Sequence, residues 1–412
     1  MGKFCQCLVF SLESGRFLGY NLGEMKYILT GGTGFLGSRL AVRLLKDGNE
    51  MVFLSRNKRG HSAKERVVHI LQQIDPLISE AKIFVIDVNL TNRDLLKDSE
   101  ILKFNDIDAI WHLAANLSFK EERRKEIFDD NINALKNILT LAKLLKCPVY
   151  YTSTAYIHGR IDKTIIHEGI LEKPIIFNNP YEESKYVAEK TIFGWGQQNS
   201  NSFIIFRPSI LVESDRKTLS FFGYYSVVGA LYNLRVKALH FYQKYPTISK
   251  LFGLRLENDI LRIFVPFPYS KTVFLNLMPV DTAIEWMTAI VEKKGSLGKI
   301  FNITNPEPFS MKEITKQTLS GLDLQLLTFN APRFIVTAYF SFIGFLGLFN
   351  KNLKSLARTL KFYKFYMIHS NEYRVESTRN IVGGKRFDKR FHFEKDFLER
   401  LTRSFILKLK RH

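Results

Sequence analysis

Lys26-Tyr-Ile-Leu-Thr30 runs directly into Gly31-Gly-Thr-Gly-Phe-Leu-Gly37, and these twelve residues set the architecture. The first five form a short apolar run of strand type. Leu36, Leu40 and Leu44 then recur at i, i+4 and i+8, one face of an amphipathic helix that stops near Gly48. Gly31, Gly34 and Gly37 fit G-x-x-G-x-x-G, and Gly32, Gly34 and Gly37 fit G-x-G-x-x-G. Glycines at these places suit a tight turn, close approach of backbone to a pyrophosphate and packing of helix on strand. The helix N-terminus adds free N–H groups and partial positive charge. A glycine-rich turn alone is weak evidence, but strand before and helix after give the context that dinucleotide binding requires. Gly31, Thr33, Gly34, Phe35, Leu36 and Gly37 are therefore the expected cofactor turn.

Downstream, strand-like runs at Met51–Ser55, Lys82–Ile86, Ile107–Leu113, Pro148–Ser153 and Phe203–Phe206 alternate with helical stretches. Parallel neighbours need crossovers of about a dozen residues or more, so the alternation predicts an α/β fold with a parallel sheet. The expectation is a Rossmann-like, doubly wound sheet with a smaller, mostly helical C-terminal substrate domain. Residues 25–212 would form the nucleotide-binding part, with 276–305 returning to it, and 213–275 and 306–412 the substrate part. Residues 1–24 read as a leader, dispensable if Met25 is the working start. They lack the long apolar run of a secretory signal, and Gln6 stands where a myristoylation motif wants Ser or Thr.

The chain has 412 residues, 46% of them hydrophobic and 24% charged, as in a folded globular protein. Three cysteines, Cys5, Cys7 and Cys147, are too few for a disulfide framework or a four-ligand zinc site, and no metal-ligand spacing occurs. A reducing, cytoplasmic setting is the default. The net charge of +20 favours anionic partners without choosing between nucleic acid, phosphorylated cofactors and anionic lipid. No recognised nucleic-acid module is present.

At the end of the second strand an acidic residue would bond the ribose 2′-hydroxyl of NAD, but this chain has Leu54-Ser-Arg-Asn-Lys-Arg59. Ser55 and Arg56, helped by Lys58 or Arg59, suit a 2′-phosphate, so NADPH is expected over NAD; solvated surface cations are the plainer reading. Asp87 and Val88 follow the third strand, where Asp87 either touches adenine or caps a loop.

Tyr181 and Lys185 form a Y-x-x-x-K pair in Asn179-Pro-Tyr-Glu-Glu-Ser-Lys185, a segment expected to be helical after Pro180. Four residues apart, they share a helix face. A phenol titrates near 10, and a neighbouring ammonium would lower that value by favouring phenolate. The strand carrying Thr152-Ser-Thr-Ala-Tyr156 places Thr154 27 residues before Tyr181, so a hydroxyl can stand beside the phenol. Thr154 would hold a substrate carbonyl, Tyr181 would transfer the proton and the nicotinamide would deliver hydride. The bland alternative is a half-exposed Tyr packed over a Lys stem. His112, His158 and His167 read as wall or core residues.

Thr30–Gly37, His112-Leu-Ala-Ala115, Ser153-Thr154, Tyr181 with Lys185, Arg207-Pro208 and Pro279-Val-Asp281 together resemble an extended short-chain dehydrogenase/reductase from Met25 to about residue 310. The resemblance implies that Ala114 and Ala115 line the cofactor cleft, that Asn131 is the family's helix Asn, that Arg207 belongs to the cofactor set, and that Lys185 also reaches the nicotinamide ribose. His112–Phe119, Ser153–Ile157, Phe206–Ile210 and Phe301–Pro306 are similar to the fatty acyl-CoA reductase and carrier-protein thioester reductase branch. Epimerases and dehydratases usually show Tyr-Gly where this chain has His158-Gly159. Eukaryotic acyl-CoA reductases carry Glu-Pro-x-Pro-Gly-Trp where Val212–Lys217 stands here. The expected function is NADPH-dependent reduction of an acyl-CoA, acyl-carrier or related apolar carbonyl substrate. A nucleotide-sugar epimerase or dehydratase with NAD, a hydroxysteroid-type dehydrogenase and a non-catalytic NADPH-binding regulator are the alternatives. A homodimer would fit the family.

Phe334–Phe349 contains no charge over 16 residues, short of the roughly 20 that span a bilayer. It reads as a buried helix lining an acyl pocket or as an interfacial segment, with 334–358 a candidate peripheral membrane contact. Residues 385–412 hold ten Lys or Arg against four Asp or Glu, with Phe391, Phe393, Phe397, Leu401, Phe405 and Leu409 interleaved. That tail is either a helix docked on the core or a basic amphipathic anchor for anionic lipid or an acidic carrier.

Overall fold

Side chains on successive strands alternate between two buried layers. Tyr27, Leu29, Met51, Phe53, Ala109 and Trp111 enter one apolar cluster, while Ile28, Val52, Leu54 and Ile110 enter another. Strands buried on both faces are the mark of a parallel sheet covered by helices on each side. In the computed structural model, seven strands form it: β1 (Lys26–Thr30), β2 (Glu50–Ser55), β3 (Ile83–Asp87), β4 (Ala109–His112), β5 (Val149–Thr152), β6 (Phe203–Pro208) and β7 (Lys299–Ile303). The order is β7-β6-β5-β4-β1-β2-β3, every pair parallel. The structure describes residues 24–410 apart from 59, 93–94, 96–98, 105, 163, 172–175, 201, 214–221, 350–352, 384–386 and 388–395. All but the last residue of the expected leader lies outside these, as do Arg59, Phe391, Phe393 and most of Val212–Lys217.

Helices α1 (Phe35–Lys46) and α2 (Ala63–Ile74) cover one face, and α3 (Ala134–Leu145) and α4 (Pro180–Gln198) the other. Ser62 and Glu65 start α2 with a capping box; Asn179 caps α4 by accepting from the Glu182 N–H, with Pro180 in its first turn. Strand order reverses between β1 and β4, and open sheets of this kind bind ligands outside the strand carboxyl ends at that point. Helices α5 (Tyr224–Lys244) and α6 (Val280–Val291) follow, and α6 packs beside α1 under the sheet.

A third apolar core, built mostly from the C-terminal part of the chain, gathers α5, α7 (Met311–Gly321), α8 (Arg333–Phe349), α9 (Lys354–Ile368) and α10 (Phe397–Leu409). It also contains a three-stranded sheet that the sequence reading did not foresee: Leu254–Glu257, Ile260–Tyr269 and Leu324–Asn330. The first two form a two-residue hairpin whose turn, Asn258-Asp259, has φ of 49° and 63°, the conformation that Asn and Asp tolerate best after glycine. Helix α10 buries Leu398, Leu401, Phe405 and Ile406 against this core. The described part of the basic tail therefore turns its apolar face inward rather than toward lipid.

Candidate active site

The glycine turn lies at the reversal point, and three of its glycines serve the chain's own packing. A Cβ on Gly31 would stand 2.7 Å from the Ala114 nitrogen, one on Gly37 2.2 Å from the Gly31 carbonyl oxygen, and one on Gly32 2.5 Å from the Phe53 ring. Gly31 also has φ of +74°, a conformation costly for any side chain. Gly34 differs: it is exposed, and its only close neighbour is the Gly31 oxygen at 3.1 Å. It starts α1 without any side-chain cap, so the first-turn N–H groups of Phe35, Leu36 and Gly37, which a helix cannot satisfy internally, receive no bond from the N-cap residue. Across the crevice, Thr30 Oγ1 accepts from the Ala114 N–H at 3.2 Å and lies 2.7 Å from His112 Nδ1. The Ala114 backbone thus stands against the turn, and Ala115, half-buried, follows it. Burial holds His112 neutral, its pKa lowered to about 3, with the Lys185 charge adding to the effect.

A dinucleotide fits these residues. Besides the uncapped helix end, Thr152 Oγ1, Ser153 Oγ, Ser209 Oγ and Thr304 Oγ1 are buried without a hydrogen-bond partner among the described residues, and they follow or end β5, β6 and β7. Buried hydroxyls are normally paired, so this row along the carboxyl edge of the sheet marks where a polar ligand would complete the bonding.

At the end of β2, Ser55 is half-buried and Arg56 exposed. Arg66 of α2, which sequence reasoning passed over, donates to the Arg56 carbonyl at 2.5 Å and brings a second guanidinium to this corner. Only the i+4 distance from Ser62 on a helix facing the strand end hinted at it. Asp87 accepts from the Asn57 N–H at 2.9 Å, and Val88 donates to the Ser55 carbonyl at 2.7 Å. Asp87 therefore orders the loop that carries Arg56.

Asn131 sits in a π-helical turn, Asp129–Asn133, a distortion common at functional sites. Its side chain accepts from the Asn116 N–H at 2.7 Å and donates to the Asn116 carbonyl at 3.2 Å and to Ser184 Oγ at 2.8 Å. It ties the cleft loop to α4, the helix of Tyr181 and Lys185.

Lys185 is buried and donates to the Thr152 carbonyl at 2.6 Å; its Nζ lies 4.5 Å from the Tyr151 ring centre and 5.9 Å from that of Tyr181. Thr154, also buried, accepts from the Tyr156 N–H at 3.3 Å. Strand β5 and helix α4 thereby bring Thr152, the start of the Thr152–Tyr156 segment, to Lys185. The electrostatics reverse the sequence expectation. Burial pushes the Tyr181 phenol above its ordinary value, with the Glu182 carboxylate adding to the shift, and burial lowers the Lys185 ammonium to about 7. Loss of solvent penalises both charged forms more than the pair's separation repays. The phenol is held protonated.

Arg207, expected in the cofactor set, has partners within the fold. It is fully buried, with Nε and Nη2 on Glu189 at 2.9 and 2.6 Å, Nη1 on the His167 carbonyl at 3.1 Å and Nη2 on the Gly169 carbonyl at 2.8 Å. Such a strut locks β6 to α4 and to the 167–169 loop, and its bonds go to the protein's own groups.

Two features of the site could not be read from the sequence. Glu182, next to Tyr181, is buried and receives hydrogen bonds from Tyr366 of α9 and from Asn178. Phe119 stands 6.0 Å from the Tyr181 ring and also meets Phe362, Tyr363 and Tyr366. These rings form a wall that leads to a narrow cavity lined by Tyr224, Val227, Phe267, Met311, Ile314 and Tyr366 among others. In the same region Arg39 of α1 stacks on Phe35 and pairs with Glu213 at 2.7 Å, joining the turn helix to the substrate side.

A parallel sheet of this order, an open glycine turn at its reversal point and a buried Tyr–Lys helix define an NAD(P)-binding protein of the extended short-chain dehydrogenase/reductase class. More narrowly, the chain belongs to the family described as male sterility protein, whose model matches residues 29–287. Among curated relatives, UDP-arabinose 4-epimerase 1 of Arabidopsis thaliana is 28% identical over 196 residues, 47% of this chain and 44% of that protein. The chain thus matches less than half the length of such relatives. Among solved structures, the terminal R domain from the myxalamid PKS-NRPS biosynthetic pathway aligns with a TM-score of 0.71 at 19% identity, covering 98% of this chain and 97% of that one. A thiolation-reductase di-domain from an archaeal non-ribosomal peptide synthetase gives 0.68 at 16%, covering 95% and 76%. Both are likenesses of fold.

Proposed function

We propose that the protein is an NADPH-dependent reductase of an acyl thioester, carried on CoA or on a carrier protein, or of a related apolar carbonyl compound. The observation that carries this reading is the wall of rings and aliphatic side chains running from Tyr181 into the substrate core, with hardly a polar group along it. Sugar hydroxyls would lose their water there without finding partners, whereas an acyl chain gains by burial. The likeness of fold to a thiolation-reductase di-domain supports the same choice. The epimerase relatives favour a second reading, a nucleotide-sugar substrate.

The glycine turn would hold NADPH, which when bound would supply a hydride. Phe35, Leu36 and Gly37 would hold its pyrophosphate through backbone N–H groups, and Arg56 with Arg66 its 2′-phosphate. Thr154 would fix the substrate carbonyl oxygen by a hydrogen bond. Tyr181, kept protonated by burial, delivers its phenolic proton to that oxygen as negative charge develops there. Lys185 positions the end of β5 through the Thr152 carbonyl and, when charged, stabilises the phenolate left behind.

Purified protein incubated with NADPH and long-chain acyl-CoA or acyl-carrier thioesters should consume the nicotinamide absorbance. Turnover of a nucleotide sugar with no thioester oxidising NADPH would overturn the reading.

A further inference from the structure

The α8–α9 hairpin carries an exposed apolar stripe that neither the cofactor site nor the substrate core uses. On α8, Phe334, Phe342, Phe345, Leu348 and Phe349 are 73, 56, 56, 77 and 75% exposed, while Val336, Phe340, Ile343 and Gly347 are buried. At 100° per residue the exposed set falls within about a third of the helix circumference, opposite the buried set. Monomeric proteins seldom leave so many large side chains together in water. Gly347 fixes the hairpin, because a Cβ there would lie 2.2 Å from the Ala357 Cβ of α9.

The hairpin's own charges are all of one sign, and Arg333 at its start is paired with Asp162 at 2.5 Å. Between Arg333 and Ile368 the sequence holds six Lys or Arg and no Asp or Glu. Lys354, Arg358 and Lys361 are exposed at i, i+4 and i+7 on one face of α9, and none has an ion-pair partner among the described residues. Lys364 donates to Ser341 Oγ at 3.2 Å, which puts the cationic helix directly alongside the stripe.

We propose that this hairpin docks flat on an anionic phospholipid bilayer, with the α8 stripe in the headgroup–acyl boundary and the α9 cations on lipid phosphates and carboxylates. A span is ruled out by geometry: α8 has 17 residues, about 25 Å of helix, one side of it is buried in protein, and no helix among the described residues is long and apolar enough to cross a membrane. A second copy suits the surface less well, because a two-fold contact sets the same patch against itself and would bring the cation rows together. Aromatic and leucine side chains beside Lys and Arg without acids are the composition of interfacial helices. The proposal stands apart from the catalytic reading, since it rests only on the outer surface of the hairpin.

The test is sedimentation of the full chain with phosphatidylcholine vesicles with and without about one third phosphatidylserine. The expected result is co-sedimentation with the anionic vesicles, at least about ten-fold stronger than with neutral ones and weakened by salt. The variants F345S/F349S and K354E/R358E alter exposed side chains only and should each lose at least about ten-fold in partitioning. To guard against a misfolded variant, Phe345→Trp in the otherwise native chain should be quenched by brominated lipid. No sedimentation with anionic vesicles, undiminished binding by both double variants, or no quenching at 345 would overturn the proposal. So would an apolar patch whose mutation abolishes a self-association seen without lipid.

Discussion

Tyr366, on the substrate-side helix α9, donates its phenolic hydrogen to the buried carboxylate of Glu182, the residue that follows Tyr181 on α4. The same hydroxyl accepts from Asn179 Nδ2 at 3.0 Å, so the cap of α4 and the helix α9 share one polar junction. Removing the hydroxyl leaves a buried carboxyl and a buried amide each short of a partner. Tyr366→Phe should cost about 1–3 kcal/mol of stability, read from denaturant unfolding.

Burial raises the Glu182 carboxyl from 4.5 to about 7, against the opposing hydrogen bonds from Tyr366, Asn178 and Asn179. In the unfolded chain the group ionises near 4.5, so between these values the folded protein keeps a proton that the unfolded one has released. Its contribution to stability is therefore full below about 4.5 and declines as pH rises to about 7. Glu182→Gln should flatten this part of the profile of thermal midpoint against pH; an unchanged slope would show that Glu182 is ionised in the fold.

Tyr181→Phe removes the proton donor without emptying the wall around it. Turnover should fall by about 10²-fold or more, the range of general acid catalysis, while NADPH binding measured by calorimetry stays nearly constant. Retained turnover would take Tyr181 out of the mechanism.

Arg56→Asp should weaken NADPH by about ten-fold or more, as loss of a charge-assisted hydrogen bond to phosphate implies, and should favour NADH. Arg66 stands in the same corner, so the double substitution should exceed the single one. Unaltered preference in both would make these cations solvated surface groups.

Gly34→Ala and Gly37→Ala should part company. A Cβ at 37 meets the Gly31 carbonyl oxygen at 2.2 Å and forces α1 away from β1, so that variant should be insoluble or destabilised by about 1–3 kcal/mol or more. At 34 the neighbour is 3.1 Å away, and the protein should fold while its dinucleotide affinity drops. Equal stability of the two would contradict the packing described for Gly37.

The twelve residues from Lys26 to Gly37 were enough to place the sheet, the turn and the helix, since strand burial, glycine spacing and helical periodicity are all local patterns. The Tyr181–Lys185 pair was legible for the same reason, being four residues apart on one helix. Sequence could not reveal that burial pushes the phenol above its ordinary value, because desolvation depends on Phe119 and on the Tyr363 and Tyr366 rings packed against it, from segments far along the chain. Nor could it separate Arg207, consumed by a buried carboxylate 18 residues away, from Arg56, left at the surface. The uncharged run at 334–349 could be read as buried or interfacial; the fold buries one side of the helix, at Val336, Phe340, Ile343 and Gly347, and leaves the other exposed. Local order followed from short-range spacing, while the protonation and exposure on which function depends were set by contacts between distant residues.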